Sequence, residues 1–133
     1  MPKMNPEIKS KWIAALRSGE YEQARGSLMR IMHRNFETGK IDVGFCCLGV
    51  LCDLASQESV CRWQDREAVT IDMFGRSNFN GDSLPAPVAE WAGLKESDPE
   101  VSTSIGVVAR LSELNDSYRL TFSQIADVIE EHL

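Results

Sequence analysis

The chain has 133 residues, of which 43% are hydrophobic and 26% charged, a single domain by size with the composition of an ordinary globular protein. At this length roughly two-thirds of the unfolded surface is buried on folding, enough for a core without disulfides or metals. The net charge of −6 and the absence of any long apolar run exclude a membrane-spanning helix and disfavour a phosphate backbone as partner.

The first residues lead into an amphipathic segment rather than an apolar signal core, so the expected location is the cytoplasm. Asn5-Pro6 starts a helix, with Asn as N-cap, Pro at the first helical position and Glu7 in the first turn. Ile8, Trp12, Ala15 and Leu16 recur at helical spacing opposite Lys9, Lys11 and Arg17, and Gly19 suits the C′ position. The first helix is therefore predicted over Pro6 to Ser18, with Trp12 as a core anchor. Tyr21 to Gly26 is a polar connector. Leu28, Arg30, Met32 and Arg34 alternate, Glu37-Thr38-Gly39-Lys40 is a turn signal, and Ile41-Asp42-Val43 alternates again. A hairpin is expected, with a helix through Leu28 and Met32 as the competing reading.

The stretch from Phe45 to Ala55 organises the chain. Nine of its eleven residues are apolar, counting the cysteines; the exceptions, Gly49 and Asp53, sit four apart, and Gln57 continues that stripe. A helix apolar nearly all round is a buried one, so a central helix is expected near residues 45–57. Arg62-Trp63-Gln64 and Ala68 to Phe74 read as strands, Gly75 to Ser83 as a mobile loop, and Leu84 to Leu94 as a short helix with Pro at its start, Gly93 at its end, and Val88 and Trp91 toward the core. Lys95 to Pro99 is polar. Val107, Val108, Leu111 and Leu114 suggest a helix ending at Asn115-Asp116. Thr121-Phe122-Ser123-Gln124 is a capping box, followed by an apolar stripe of Phe122, Ile125, Ala126 and Ile129 opposite Asp127, Glu130 and Glu131. The expected fold is α+β: about four helices around a small antiparallel sheet, in one domain over 1–133, with the central helix packed on helix one and the C-terminal helix.

The cysteines, Cys46, Cys47, Cys52 and Cys61, do not have the paired spacing of a zinc site, and His33 and His132 form no spaced pair. Neither a metal nor a disulfide is expected, and no cofactor is implied. Cys46 and Cys47 in the first turn of a helix would have lowered pKa values, with His33 as a possible base, but their apolar neighbours argue for buried, inert thiols. No catalytic residue is assigned. The C-terminal helix has an Ile-Ala pair like that of a helix-turn-helix, but it is acidic and no recognition helix follows it, so direct nucleic-acid binding is not expected.

Charge is uneven. Residues 1–80 hold 11 basic and 10 acidic side chains, residues 81–133 hold 3 and 10, so the second part is strongly acidic and suits docking to a basic protein partner. Among the polar residues, Asp53 stands on the only polar stripe of a buried helix and needs donors or a cation. Asn115 and Asp116 are either caps of a turn or part of a site with Asp53, Tyr21 and Trp63.

Three blocks resemble a known family: Phe45-Cys46-Cys47-Leu48-Gly49-Val50-Leu51-Cys52-Asp53, then Leu84-Pro85 with Glu90-Trp91-Ala92-Gly93-Leu94, then Leu114-Asn115-Asp116 with Thr121-Phe122 and Ile125-Ala126-Asp127. The first helix and Tyr21-x-Gln23 fit as well. The chain resembles, over most of its length, the small F-C-C-L-G-V-L-C-D proteins abundant in tailed-phage and prophage genomes. It departs from their pattern in a longer stretch before Phe45 and a slightly longer turn over Ser117-Tyr118-Arg119-Leu120. The resemblance implies an origin rather than a mechanism. Two functions follow as expectations. One is a non-enzymatic phage or prophage accessory protein that binds and modulates a host protein, such as a defence component. The other is a small-ligand-binding protein or enzyme with a pocket near Asp53, Asn115 and Asp116. The residues expected to bind ligand or partner are Tyr21, Gln23, Asp53, Trp63, Asn115 and Asp116.

Overall fold

The computed structural model describes residues 4–103 and 106–133. Helix α1, Pro6–Arg17, starts where Asn5 Oδ1 accepts from the backbone N–H groups of Glu7 at 2.9 Å and Ile8 at 3.3 Å, satisfying two of the orphan donors of a helix start. It buries Ile8, Trp12, Ile13 and Leu16 and ends before Gly19, whose φ is +79°. Strand β1, Met29–Arg34, then pairs antiparallel with β2, Ile41–Phe45. The expected hairpin is there, closed by Asn35, whose side chain accepts from Glu37 N and Thr38 N.

Helix α2, Cys47–Gln57, is the centre of the molecule. Cys47, Leu48, Gly49, Val50, Leu51, Cys52 and Ala55 are all buried. It starts two residues later than the sequence suggests. Phe45 completes the ladder to β1, and extended Cys46 is the N-cap, its Sγ accepting from Gly49 N at 3.4 Å. Gly49 is required by a close crossing: a Cβ there would lie 1.9 Å from the carbonyl oxygen of Leu28, and that same oxygen accepts from Cys46 N at 3.2 Å.

Strands β3, Arg62–Gln64, β4, Glu67–Ile71, and β5, Ser77–Asn80, form an antiparallel sheet in the order β3-β4-β5. Two expectations are corrected here. β4 stops at Ile71, because Asp72 turns the chain: its Oδ1 accepts from Phe74 N at 2.9 Å and Arg76 N at 3.0 Å. The segment expected to be a mobile loop contains β5, which pairs with β4 residue by residue from Ser77 to Asn80. Its Ser and Asn residues favour turns locally, and the ladder to β4 overrides them.

Helix α3, Ala86–Ala92, follows Pro85 and ends at Gly93, with φ +77°. A Cβ at Gly93 would approach Asn5 N to 2.8 Å, and Asn5 N donates to Ala92 O at 2.8 Å, so the chain start and α3 are locked together. Val88 is buried and Trp91 half-buried. β6, Glu100–Ser102, and β7, Val108–Arg110, make a third antiparallel sheet. Helix α4, Leu111–Asp116, therefore begins later than the apolar spacing suggests, since Val108 lies in β7. Helix α5, Phe122–His132, has the expected capping box: Gln124 N donates to Thr121 Oγ1 at 3.2 Å and Thr121 N to Gln124 Oε1 at 2.9 Å.

The fold is α+β, with five helices and three small antiparallel sheets among the described residues. α2 packs on α1 and α4, while α5 lies along α1 and against α4 rather than chiefly on α2. Trp12 Nε1 donates to Cys47 O at 2.9 Å inside the core. Outside it, Arg17 reaches Asp127 at 2.6 Å and Glu130 at 2.9 Å on α5. Among the described residues no helix is long and apolar enough to cross a membrane.

Candidate functional site

Two groups of side chains meet α2, one at Asp53 on its polar stripe and one at its first residue, Cys47. After α1 the chain runs beside the end of β2: Phe45 N donates to Glu22 O and Ala24 N to Phe45 O, each at 2.8 Å. Tyr21 and Gln23, two residues apart on this extended segment, then reach Asp53 on the stripe and Asn115 on α4, respectively. Asp53 accepts from Tyr21 Oη at 2.6 Å, Trp63 Nε1 at 3.0 Å and Gln57 Nε2 at 3.4 Å. Phe45 lies between the two aromatic donors, 5.3 Å from the Tyr21 ring, edge-on, and 5.8 Å from the Trp63 ring. Partial burial, and then the Asp53 carboxylate, push the Tyr21 phenol well above its ordinary pKa. The hydroxyl is thus held protonated as a donor.

The second group surrounds Asn115, which is fully buried. Its Oδ1 accepts from Gln23 Nε2 at 2.9 Å and Cys47 N at 3.3 Å, and its Nδ2 donates to Ala24 O and Asp116 Oδ1, both at 2.8 Å. Gln23 Nε2 also donates to Leu120 O at 2.8 Å, and Arg25 Nε to Asn115 O at 3.1 Å. The six residues singled out from the sequence are therefore brought onto α2 as two trios. Tyr21, Asp53 and Trp63 form one; Gln23, Asn115 and Asp116 form the other. Every described buried side-chain nitrogen and oxygen has a hydrogen-bond partner. Chemically, these trios pin the 21–28 segment, β3 and the α4–α5 turn to the central helix.

The thiols behave according to their burial. Cys46 sits at the N-cap, where backbone N–H groups favour a thiolate, but burial outweighs them and pushes it up to about 11. This corrects the expectation of a lowered value at the helix start. Burial also raises Cys47 and Cys52 well above the ordinary thiol value, and Cys61 to about 11. His33 is exposed near the far end of the β1–β2 hairpin, away from Cys46 at its base. Among the described residues no three His, Cys, Asp or Glu side chains gather as metal ligands.

Two surface features escaped the sequence reading. The β4–β5 hairpin exposes Ile71, Met73, Phe74 and Phe79; the run of large apolar residues past the alternation of β4 was the available signal. A cleft of about 360 Å³ lies between α4 and α5, with Leu114, Leu120 and Val128 in its walls and Asp127 and Glu131 at its edge. It joins residues from separate elements, and no local pattern announces it.

No curated protein and no solved structure matches the chain. A family model described as a domain of unknown function, DUF8296, matches residues 4–133, and the chain belongs to that family.

Proposed function

We propose that this protein is a non-enzymatic accessory protein, of phage or prophage origin, that binds and modulates a host protein. The observation that carries this reading is the β4–β5 hairpin. Ile71, Met73, Phe74 and Phe79 are 63%, 90%, 74% and 51% exposed, four large apolar side chains within nine residues. Large contiguous apolar patches on a folded protein mark contact surfaces. The local charges nearly cancel: Arg76 Nε lies 3.2 Å from Asp72 Oδ2, and its guanidinium sits 5.0 Å from the Phe74 ring centre. Met32, Phe36 and Ile41 on the β1–β2 hairpin are exposed too, but Arg34, Glu37, Lys40 and Asp42 stand among them. β5 is also an edge strand without a charged side chain, and edges of this kind accept added strands. The acidic balance of residues 81–133 favours a basic partner in the encounter. The alternative ligand site around Asp53 and Asn115 has less in its favour, since its polar groups are bonded to one another and to the backbone.

The test is capture from a host-cell lysate with immobilised protein, comparing the natural chain with a Met73→Ser, Phe74→Ser double variant. Both positions are at the exposed hairpin tip, so the variant should keep its stability within about 0.5 kcal/mol. A host protein retained by the natural chain and lost from the variant is the expected result. Equal retention by both, or by neither, overturns the reading.

A further inference from the structure

We infer that the cleft between α4 and α5 binds a small organic cation: an ammonium or guanidinium on a short apolar stem. The site lies apart from the β4–β5 hairpin and does not depend on the partner proposed there. Its volume, about 360 Å³, falls in the lower part of the roughly 300–1,000 Å³ range of small-ligand sites. The floor is apolar, made by Leu114, Leu120 and Val128, so it covers a hydrocarbon stem.

Charge selects the head group. Asp127 and Glu131 stand one helical turn apart on α5 at the cleft, beside His132, and among the described residues no Lys or Arg lines it. Arg17 engages one oxygen of Asp127 at 2.6 Å; Glu131 meets only His132 Nε2, at 3.8 Å, among the described residues. An anion would face two carboxylates, whereas a cation would complete them. The ring of Tyr118, 48% exposed, adds an aromatic wall and cations are attracted to such a face.

The probe is benzylammonium, titrated into the full chain by ligand-observed NMR, with benzyl alcohol and benzoate as its neutral and anionic counterparts. Benzylammonium should bind at millimolar concentration, benzyl alcohol more weakly, and benzoate not at all. Glu131→Gln should weaken the cation by up to about fivefold, the scale of one exposed charge pair, and leave benzyl alcohol unchanged. Val128→Phe should fill the cleft and abolish binding of both, while circular dichroism shows the fold intact. Equal affinity for the three probes, or no binding of benzylammonium, overturns the inference. So does binding of a capped arginine tripeptide alone, which would assign the cleft to a protein partner instead.

Discussion

At Asn115 one amide closes four hydrogen bonds that tie together Gln23, Ala24, Cys47 and Asp116. Leucine has nearly the same shape and none of the donors or acceptors. Asn115→Leu should therefore leave the Ala24 carbonyl and the Cys47 N–H unsatisfied and destabilise by about 3 kcal/mol or more, at roughly 1–3 kcal/mol per orphaned buried group. A urea midpoint unchanged from the natural chain would show that Asn115 is not a structural tie. Ser59 gives the opposite sign. α2 ends with Val60 N donating to Ala55 O at 3.0 Å and Ser59 N to Ser56 O at 3.1 Å, a Schellman closure that places Ser59 at φ +61°. Glycine adopts that conformation without a Cβ clash, so Ser59→Gly should stabilise by roughly 0.5–1 kcal/mol in the same measurement. The need of Asp53 for donors was legible in the sequence, because it stands on the one polar stripe of an apolar helix. The role of Asn115 was not: next to Asp116 it reads as a turn cap, and its partners lie up to 92 residues away.

Among the elements, α2 was the most legible, since eleven consecutive residues carried the signal. Leu51 on it is wholly buried, and Leu51→Ala should cost roughly 2–5 kcal/mol by the cavity it leaves; a loss below 1 kcal/mol on thermal unfolding would remove α2 from the centre. α1 and α5 were legible from their caps and stripes, α1 to within a residue of its observed ends and α5 at its capped start. The hairpins were legible where apolar residues alternate with polar ones. β1 and β2, of six and five residues, show alternation, whereas β6 runs on from a polar loop and β7 is absorbed into the helical spacing of Leu111 and Leu114. β5 was hidden by its composition, because Ser77, Asn78 and Asn80 are turn formers, and only the register with β4 makes them a strand. The start of α4 was misplaced for the same reason: Val107 and Val108 continue the helical spacing of Leu111 and Leu114 by coincidence, while β7 takes Val108.

For the whole molecule, the buried thiols set an alkaline limit. Cys46 and Cys61 ionise at about 11 in the folded protein against an ordinary 9.0, and Cys47, Cys52 and Tyr21 are raised as well. The unfolded chain gives up these protons first, so their contribution to stability is complete below about pH 9 and is lost as pH rises through 11 and beyond. The urea midpoint should hold steady between about pH 7 and 8.5 and fall steadily above pH 9; a midpoint that does not move up to pH 11 would mean the thiols are open to solvent. The pairing of α1 with α5 has a different consequence, for synthesis. About a hundred residues separate Arg17 from Phe122, and a ribosome adding roughly 5–20 residues per second needs on the order of 5–20 s to span them. During that interval α1 has left the exit tunnel, and neither α5, which packs along it, nor the Asn115 tie yet exists. The α1–α5 part of the core cannot close progressively behind the ribosome. It closes once α5 emerges, which makes the nascent chain, rather than the folded protein, the stage most exposed to aggregation and to capture by chaperones.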